Sequence, residues 1–375
     1  MPKVIWPTQR IALVVTVLSS VACSDPTSPE SITFTQPSGS PIAVGDGAHA
    51  LAVGDVNSDG ALDIVVANAL SDDLSILLGD GDGTFQTPRT LAAGNEPRAV
   101  RIADLDADGV ADLAVANAES DNVAAFLGNG DGSFQTAGAA GTGHFPLALA
   151  VGDLNGDGAL DLAVAAYFDG AYVLLGNRDG TFQDAQVVAG GSGVAALAIV
   201  ALNRDAIPDL VVVNSQFNQI AVLLGEGDGS FTVEPLVDVG AQSIAVATGD
   251  FDRDGVVDLV IANGFSSDVA VLLGRGDGRF RSLERFQVGG DPRSVAVDDL
   301  DGDGVLDLAV ANLSSNTVSV LLGNGNGAFR NQQAFPVGRS PLSVAIGDLN
   351  DDGAPDLVVA NSDSDNVTVL LNSRR

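Results

Sequence analysis

The sequence predicts an all-β fold, a seven-bladed β-propeller of four-stranded blades, and three observations point to it. First, an acidic loop of the form D-x-D-x-D-G-x-x-D, as in Asp299-Leu300-Asp301-Gly302-Asp303-Gly304-Val305-Leu306-Asp307, recurs along the chain. Its first position falls at Asp55, Asp104, Asp153, Ala201, Asp250, Asp299 and Asp348, at steps of 49, 49, 48, 49, 49 and 49 residues. Second, each unit holds four short β-like runs and no helical period of useful length. Third, the apolar runs continue through both faces instead of alternating, as in sheets that are covered on both sides. Four strands in each unit of about 40–50 residues, repeated, are the sequence sign of a propeller.

The sixth unit shows the order of elements. Ser294-Val295-Ala296-Val297 leads into the acidic loop and Leu308-Ala309-Val310-Ala311 leaves it. Asn312-Leu313-Ser314-Ser315-Asn316 is a turn, and Thr317 to Leu322 a third run. Gly323-Asn324-Gly325-Asn326-Gly327 supplies the positive φ angles of a tight reversal before a fourth run, Phe329 to Val337. Matching turns precede Phe85, Phe134, Phe182, Phe231 and Phe280. These G-D-G-D-G strings are read as structural hairpins, because no Lys or Ser/Thr follows at phosphate-loop spacing.

The seventh unit stops after Val367-Thr368-Val369-Leu370-Leu371, without the Gly-rich turn or the Phe. The missing run appears at the other end of the chain as Ser31-Ile32-Thr33-Phe34. Phe34 stands 21 residues before Asp55, against 19 in the other units. The amino-terminal strand is therefore expected to complete the last blade and remove its exposed edge.

The acidic loops have the chemistry of a hard-cation site. Alternate carboxylates, a Gly for the sharp turn and a further carboxylate are what Ca²⁺ needs. The expected ligands are Asp55, Asn57, Asp59 and Asp63; Asp104, Asp106, Asp108 and Asp112; and Asp153, Asn155, Asp157 and Asp161. They continue with Asp250, Asp252, Asp254 and Asp258; Asp299, Asp301, Asp303 and Asp307; and Asp348, Asn350, Asp352 and Asp356. About six Ca²⁺ sites are expected. The fourth loop keeps Asn203, Asp205 and Asp209 but has Ala201 and Ala206, and should be empty or weak. An EF-hand is excluded, since position twelve is Val66, Val115, Val164, Ile261, Val310 and Val359 rather than Glu, and the flanks are strand-like. The motif places no cation at its ligand positions, so the carboxylates are expected to depend on metal.

The Phe-plus-Gly turns and the acidic loop together resemble the FG-GAP repeats of integrin α-subunit propellers. They are closer still to bacterial VCBS/FG-GAP repeat proteins, whose units run V-x-V-G-D-L-N-G-D-G-x-x-D; compare Ala150-Val151-Gly152-Asp153-Leu154-Asn155-Gly156-Asp157-Gly158. The resemblance spans residues 31 to 375. It implies that the acidic loop joins the first and second strands of each blade and binds Ca²⁺. It implies no particular activity.

The chain has 375 residues and a net charge of −32, and 23 of its 49 acidic residues are Asp at the ligand positions of the loops. With only 17 basic residues, nucleic acid is not an expected partner. The amino terminus reads as an export signal over residues 1–22: Lys3 and Arg10, an apolar run from Ile11 to Leu18, then Ser19, Ser20 and Ala22. Cys23, the only cysteine, followed by the polar tether Ser24 to Glu30, resembles a lipoprotein signal with Cys23 as the lipidated residue. Ser20 departs from that pattern, which prefers an aliphatic residue there. The expected location is the bacterial outer membrane or cell surface through a lipid anchor, or otherwise a secreted or periplasmic one.

No catalytic residue is proposed. His49 and His144, the only histidines, are read as loop residues near the blade lead-ins. The expected ligand face lies opposite the acidic loops. There the loops between second and third strands carry Tyr167, Phe168, Phe217 and Phe265, with His144 and Phe145 just before them. Aromatics are 5% of the chain, so their clustering suggests a patch for a protein or carbohydrate. The expected function is a monomeric cell-surface binding or adhesion module. The alternatives are a rigid spacer or a polysaccharide-acting lyase or hydrolase.

Overall fold

The computed structural model describes residues 32–373. The expected export signal, Cys23 and the expected tether lie outside the described residues. Seven antiparallel sheets follow one another, each a meander from an innermost to an outermost strand. Blade one is typical: Ala48–Gly54, Asp63–Asn68, Asp73–Leu77 and Arg89–Ala92. The second strand of every blade is buried along nearly its whole length, as in Asp63–Asn68 and Asp356–Asn361. Its β-branched and Ala side chains face adjacent blades on both sides, which is why the sequence lacks clean alternation.

The core is divided among the gaps between blades. Val65, Leu74 and Ile76 of blade one pack with Val100, Leu113 and Val115 of blade two. Val358 and Val369 of blade seven pack with Ile64, Val66 and Leu77 of blade one, so the ring is closed by the same packing that joins any other pair. Each repeat phenylalanine fills one of these gaps: Phe85 between blades seven and one, Phe134 between one and two, Phe329 between five and six.

The amino-terminal strand completes blade seven. Phe34–Thr35 pairs antiparallel with Asn366–Asn372, and Ile42–Ala43 adds a second short segment to the same edge. The register explains the sequence. Phe34 faces Asn372 as Phe85 faces Gly79 and Phe134 faces Gly128. The Phe34 ring then packs edge-on against Phe335 of blade six, with centroids 5.0 Å apart. The strand is shorter than the four-residue run read from the sequence, and the two extra residues of spacing lie in the connection between its halves.

Each acidic loop joins a first to a second strand, so all seven gather on one face of the ring, here the lower face. The turns between second and third strands open on the opposite, upper face, where the innermost strands begin.

Candidate functional site

In the complete loops the chain folds back so that the first carboxylate accepts the loop's own N–H groups. Asp55 accepts from Asp59 N at 3.3 Å and Gly60 N at 2.9 Å, and Asp348 accepts equivalently from Asp352 N and Gly353 N. Gly60 has φ +92°, a left-handed geometry that glycine adopts freely. This brings carboxylate oxygens of Asp104, Asp106 and Asp108 within 4.8 Å of one another, and likewise those of Asp250, Asp252, Asp254 and of Asp299, Asp301, Asp303. Asp299 Oδ1 and Asp301 Oδ2 are buried without any donor. Unpartnered carboxylate oxygens this close suit a hard divalent cation. Loops one, three and seven hold Asn57, Asn155 and Asn350 at the third position, each donating to the next Asp. They offer one amide oxygen in place of a carboxylate.

The last Asp of the motif has a second role. Asp63 is fully buried; its Oδ2 accepts from Val56 N and its Oδ1 from Gly79 N, both at 2.8 Å. It thus ties the acidic loop to the Gly-rich turn. The same pair of bonds recurs at Asp112, Asp161, Asp209, Asp258, Asp307 and Asp356. Burial pushes these carboxyls upward, to about 6 at Asp258 and Asp356 and about 7 at Asp307. The backbone donors oppose that shift, and neighbouring loop carboxylates add to it. Loop four keeps this clip through Asp209 although Ala201 offers no oxygen. Ala206 there adopts φ +66°, where the other loops place Gly.

One loop meets a cation from outside its own motif. Arg281, on the outermost strand of blade five, places Nη2 against Asp254 and 3.3 Å from Asp252. No local motif reveals this, because Arg281 lies 27 residues after Asp254 and meets it only through strand pairing.

On the upper face, Phe168, Phe217 and Phe265 stand exposed on blades three, four and five, at 57%, 60% and 79%. Leu70, in the matching turn of blade one, is 75% exposed. Tyr167 and Phe145 are half-buried and brace Phe168: its ring lies 5.1 Å from Tyr167 and 5.8 Å from Phe145. His144 is exposed, with Nδ1 2.6 Å from Asp169 Oδ2, and this contact holds its pKa above the usual imidazole value. His144, Phe145 and Phe168 border a shallow cavity of about 440 Å³. The aromatics therefore form a local group on blade three, with Phe217 and Phe265 as further exposed rings on the next two blades.

His49 corrects the loop reading made for it. It lies on the innermost strand of blade one and lines the central channel. Its Nδ1–H donates to Arg98 O at 2.9 Å. Burial first, and then the Arg98 charge, lowers its pKa to about 3. Arg98, Arg101 and Arg293 line the same channel and were not singled out from the sequence. Superposing the seven units would have found Arg101, since the other six units have Ala there: Ala52, Ala150, Ala198, Ala247, Ala296 and Ala345.

Comparison with known proteins agrees with this geometry. No curated protein matches the sequence. Among solved structures, the chain resembles BBS1N, solved in complex with ARL6DN, with a TM-score of 0.65 and 13% identity over 92% of this chain and 98% of that one. It resembles Saccharomyces cerevisiae Sqt1 with a TM-score of 0.59 and 10% identity, over 92% and 99%. It also resembles an Agrocybe aegerita lectin that recognises non-reducing terminal N-acetylglucosamine, with a TM-score of 0.56 and 20% identity over 84% and 86%. At these identities the likeness is one of fold. The sequence match is more specific: the FG-GAP-like repeat model aligns over residues 55–115, 104–164, 153–212, 202–261, 250–310 and 299–359. Those overlapping matches start at the acidic loops, and the chain therefore belongs to the FG-GAP-like repeat family.

Proposed function

We propose that this chain is an exported binding module, a Ca²⁺-stabilised propeller that captures a protein or carbohydrate outside the cell through its upper face. The observation that carries the reading is the run of exposed rings Phe168, Phe217 and Phe265 on three adjacent blades. Exposed aromatic side chains cost solubility, and grouped ones mark interaction surfaces. Solved propellers of this shape include one recognising a terminal sugar and one in complex with a protein, so both ligand classes are open to the fold. The loops would hold Ca²⁺ through the Asp and Asn side chains at their first, third and fifth positions, and the ion would offset their mutual repulsion. Cys23 would carry a lipid anchor.

A glycan array and an extracellular-protein array, each probed with and without Ca²⁺, test the binding. Replacing Phe168, Phe217 and Phe265 by Ser should abolish the signal while the melting temperature holds. Binding that survives the triple substitution places the ligand elsewhere. For the anchor, Cys23→Ala should move the protein from the membrane fraction to the soluble exported fraction.

A further inference from the structure

The central channel holds about 620 Å³ and is chemically two-sided. Near its upper mouth, blades six, one and two contribute Arg293, His49 and Arg98, whereas blades three, four, five and seven contribute Leu147, Ala195, Ile244 and Leu342; Asp298 also lines the channel. In a chain of net charge −32 with 17 basic residues, three arginines in one channel oppose the prevailing field.

Two of the three are partly compensated. Arg98 pairs with Glu96, and Arg293 Nη2 lies 2.8 Å from Asp291 Oδ2. Their positive field is still felt, because both lower the His49 pKa. Arg101, deeper in the channel, is different. Among the described residues no carboxylate lies within ion-pair distance of it, and its one hydrogen bond goes from Nη1 to the carbonyl of neighbouring Val100 at 2.9 Å. Water reaches it along the channel, while the enclosing protein desolvates it enough to lower its pKa. Six blades manage with Ala at this level, so packing does not require the guanidinium. A channel charge without a protein partner is open to a ligand, and a planar guanidinium is shaped to fork an oxyanion.

We propose that the channel is an oxyanion site, in which Arg101 grips a carboxylate, sulfate or phosphate group beneath the collar of Arg98 and Arg293. The wall of Leu147, Ala195 and Ile244 would receive the carbon skeleton of an organic anion. The Arg98 guanidinium also sits 5.8 Å from the Phe145 ring centroid, so the channel mouth adjoins the aromatic group of the upper face. This site goes beyond the ligand-capture reading and does not depend on the exposed Phe arc.

The test is titration calorimetry on the full chain at fixed Ca²⁺ and ionic strength, with sodium glucuronate, sodium sulfate and glucose as probes. Saturable binding of glucuronate, of sulfate or of both is expected, with none for glucose, and the preferred probe identifies the source of the oxyanion. Arg101→Ala should weaken binding at least tenfold, and Arg101→Lys should fall between, keeping the charge but losing the fork. In anion-poor buffer Arg101→Ala should melt at or above the native temperature, because it removes an unpaired charge. Absence of binding to both anions, equal binding by Arg101→Ala, or a lower melting temperature for that variant in anion-poor buffer would each overturn the site. A chain that captures a neutral ligand through the Phe arc yet ignores both anions would keep the capture reading and lose this one.

Discussion

Asp209 separates two roles that one motif combines. In loop four Ala201 leaves the expected cation ligand set incomplete, yet Asp209 still accepts from Leu202 N and Gly225 N. Replacing it with Ala would leave two buried N–H groups without acceptors, a loss on the order of 2–4 kcal/mol. Asp205→Ala, on the exposed part of the same loop, should cost under about 0.5 kcal/mol. Urea denaturation of both variants checks the contrast. The sequence marks the six equivalents of Asp209 only as ligands, because a carboxylate at the end of an acidic loop looks the same in either role. Only the register of third strand to acidic loop shows that these residues also hold the blade together. The same residues set a pH dependence. With metal chelated, Asp258, Asp307 and Asp356 keep their protons to about 6, 7 and 6, whereas an unfolded Asp releases its proton near 3.9. The folded state then binds more protons, so stability should fall as pH rises from about 4 to 7. His49 runs the other way: its folded value of about 3 lies below the unfolded 6.5, and its contribution fades as pH drops through that window. One imidazole is outweighed by several carboxyls. With saturating Ca²⁺ the overall trend should reverse, since protons compete with the metal for the loops. Melts at pH 4.5 and 7, with and without chelator, read both signs.

At the scale of the element, the loops are not equivalent. Loop five shares its carboxylates with Arg281, while loop six leaves Asp299 Oδ1 and Asp301 Oδ2 without donors. Of the six expected Ca²⁺ ions, the one in loop five should therefore bind weakest among the all-Asp loops. Arg281→Ala should tighten that site severalfold and leave the others alone, which site-resolved calorimetry or metal NMR can follow. A weaker site after this substitution would mean that Arg281 organises the loop instead of competing for it. The strands and turns themselves were legible in the residues, because each carries its own signal: a Gly-Asx-Gly reversal, an Asp-rich bend, an apolar run. The channel arginines were not. Arg101 stands out only when the units are superposed, against Ala in the other six, and its place on the inner wall gives it chemistry.

For the whole molecule, closure is the deciding feature. Deleting residues 32–35 removes Phe34 from its packing on Phe335 and leaves Asn372 without its strand partner. The shortened protein should melt at least about 5 °C lower and associate through the bared edge, as light scattering would show. An unchanged melting temperature with a monomeric species would mean that Ile42–Ala43 alone seals the blade.

The seam that closes blade seven also sets an order of events during folding. Phe34 and Thr35 precede all seven acidic loops in the chain and their partners Asn372 and Leu371 follow them, so blade seven stays incomplete until its third strand has been made. Six blades can stack as they emerge, since each contacts its neighbours in sequence. The seventh cannot, and a chain interrupted at any earlier point bears two raw edges that a protease or chaperone can recognise. Closure of the ring thus waits on two short pairings, those of Phe34–Thr35 and Ile42–Ala43 with the third strand of blade seven.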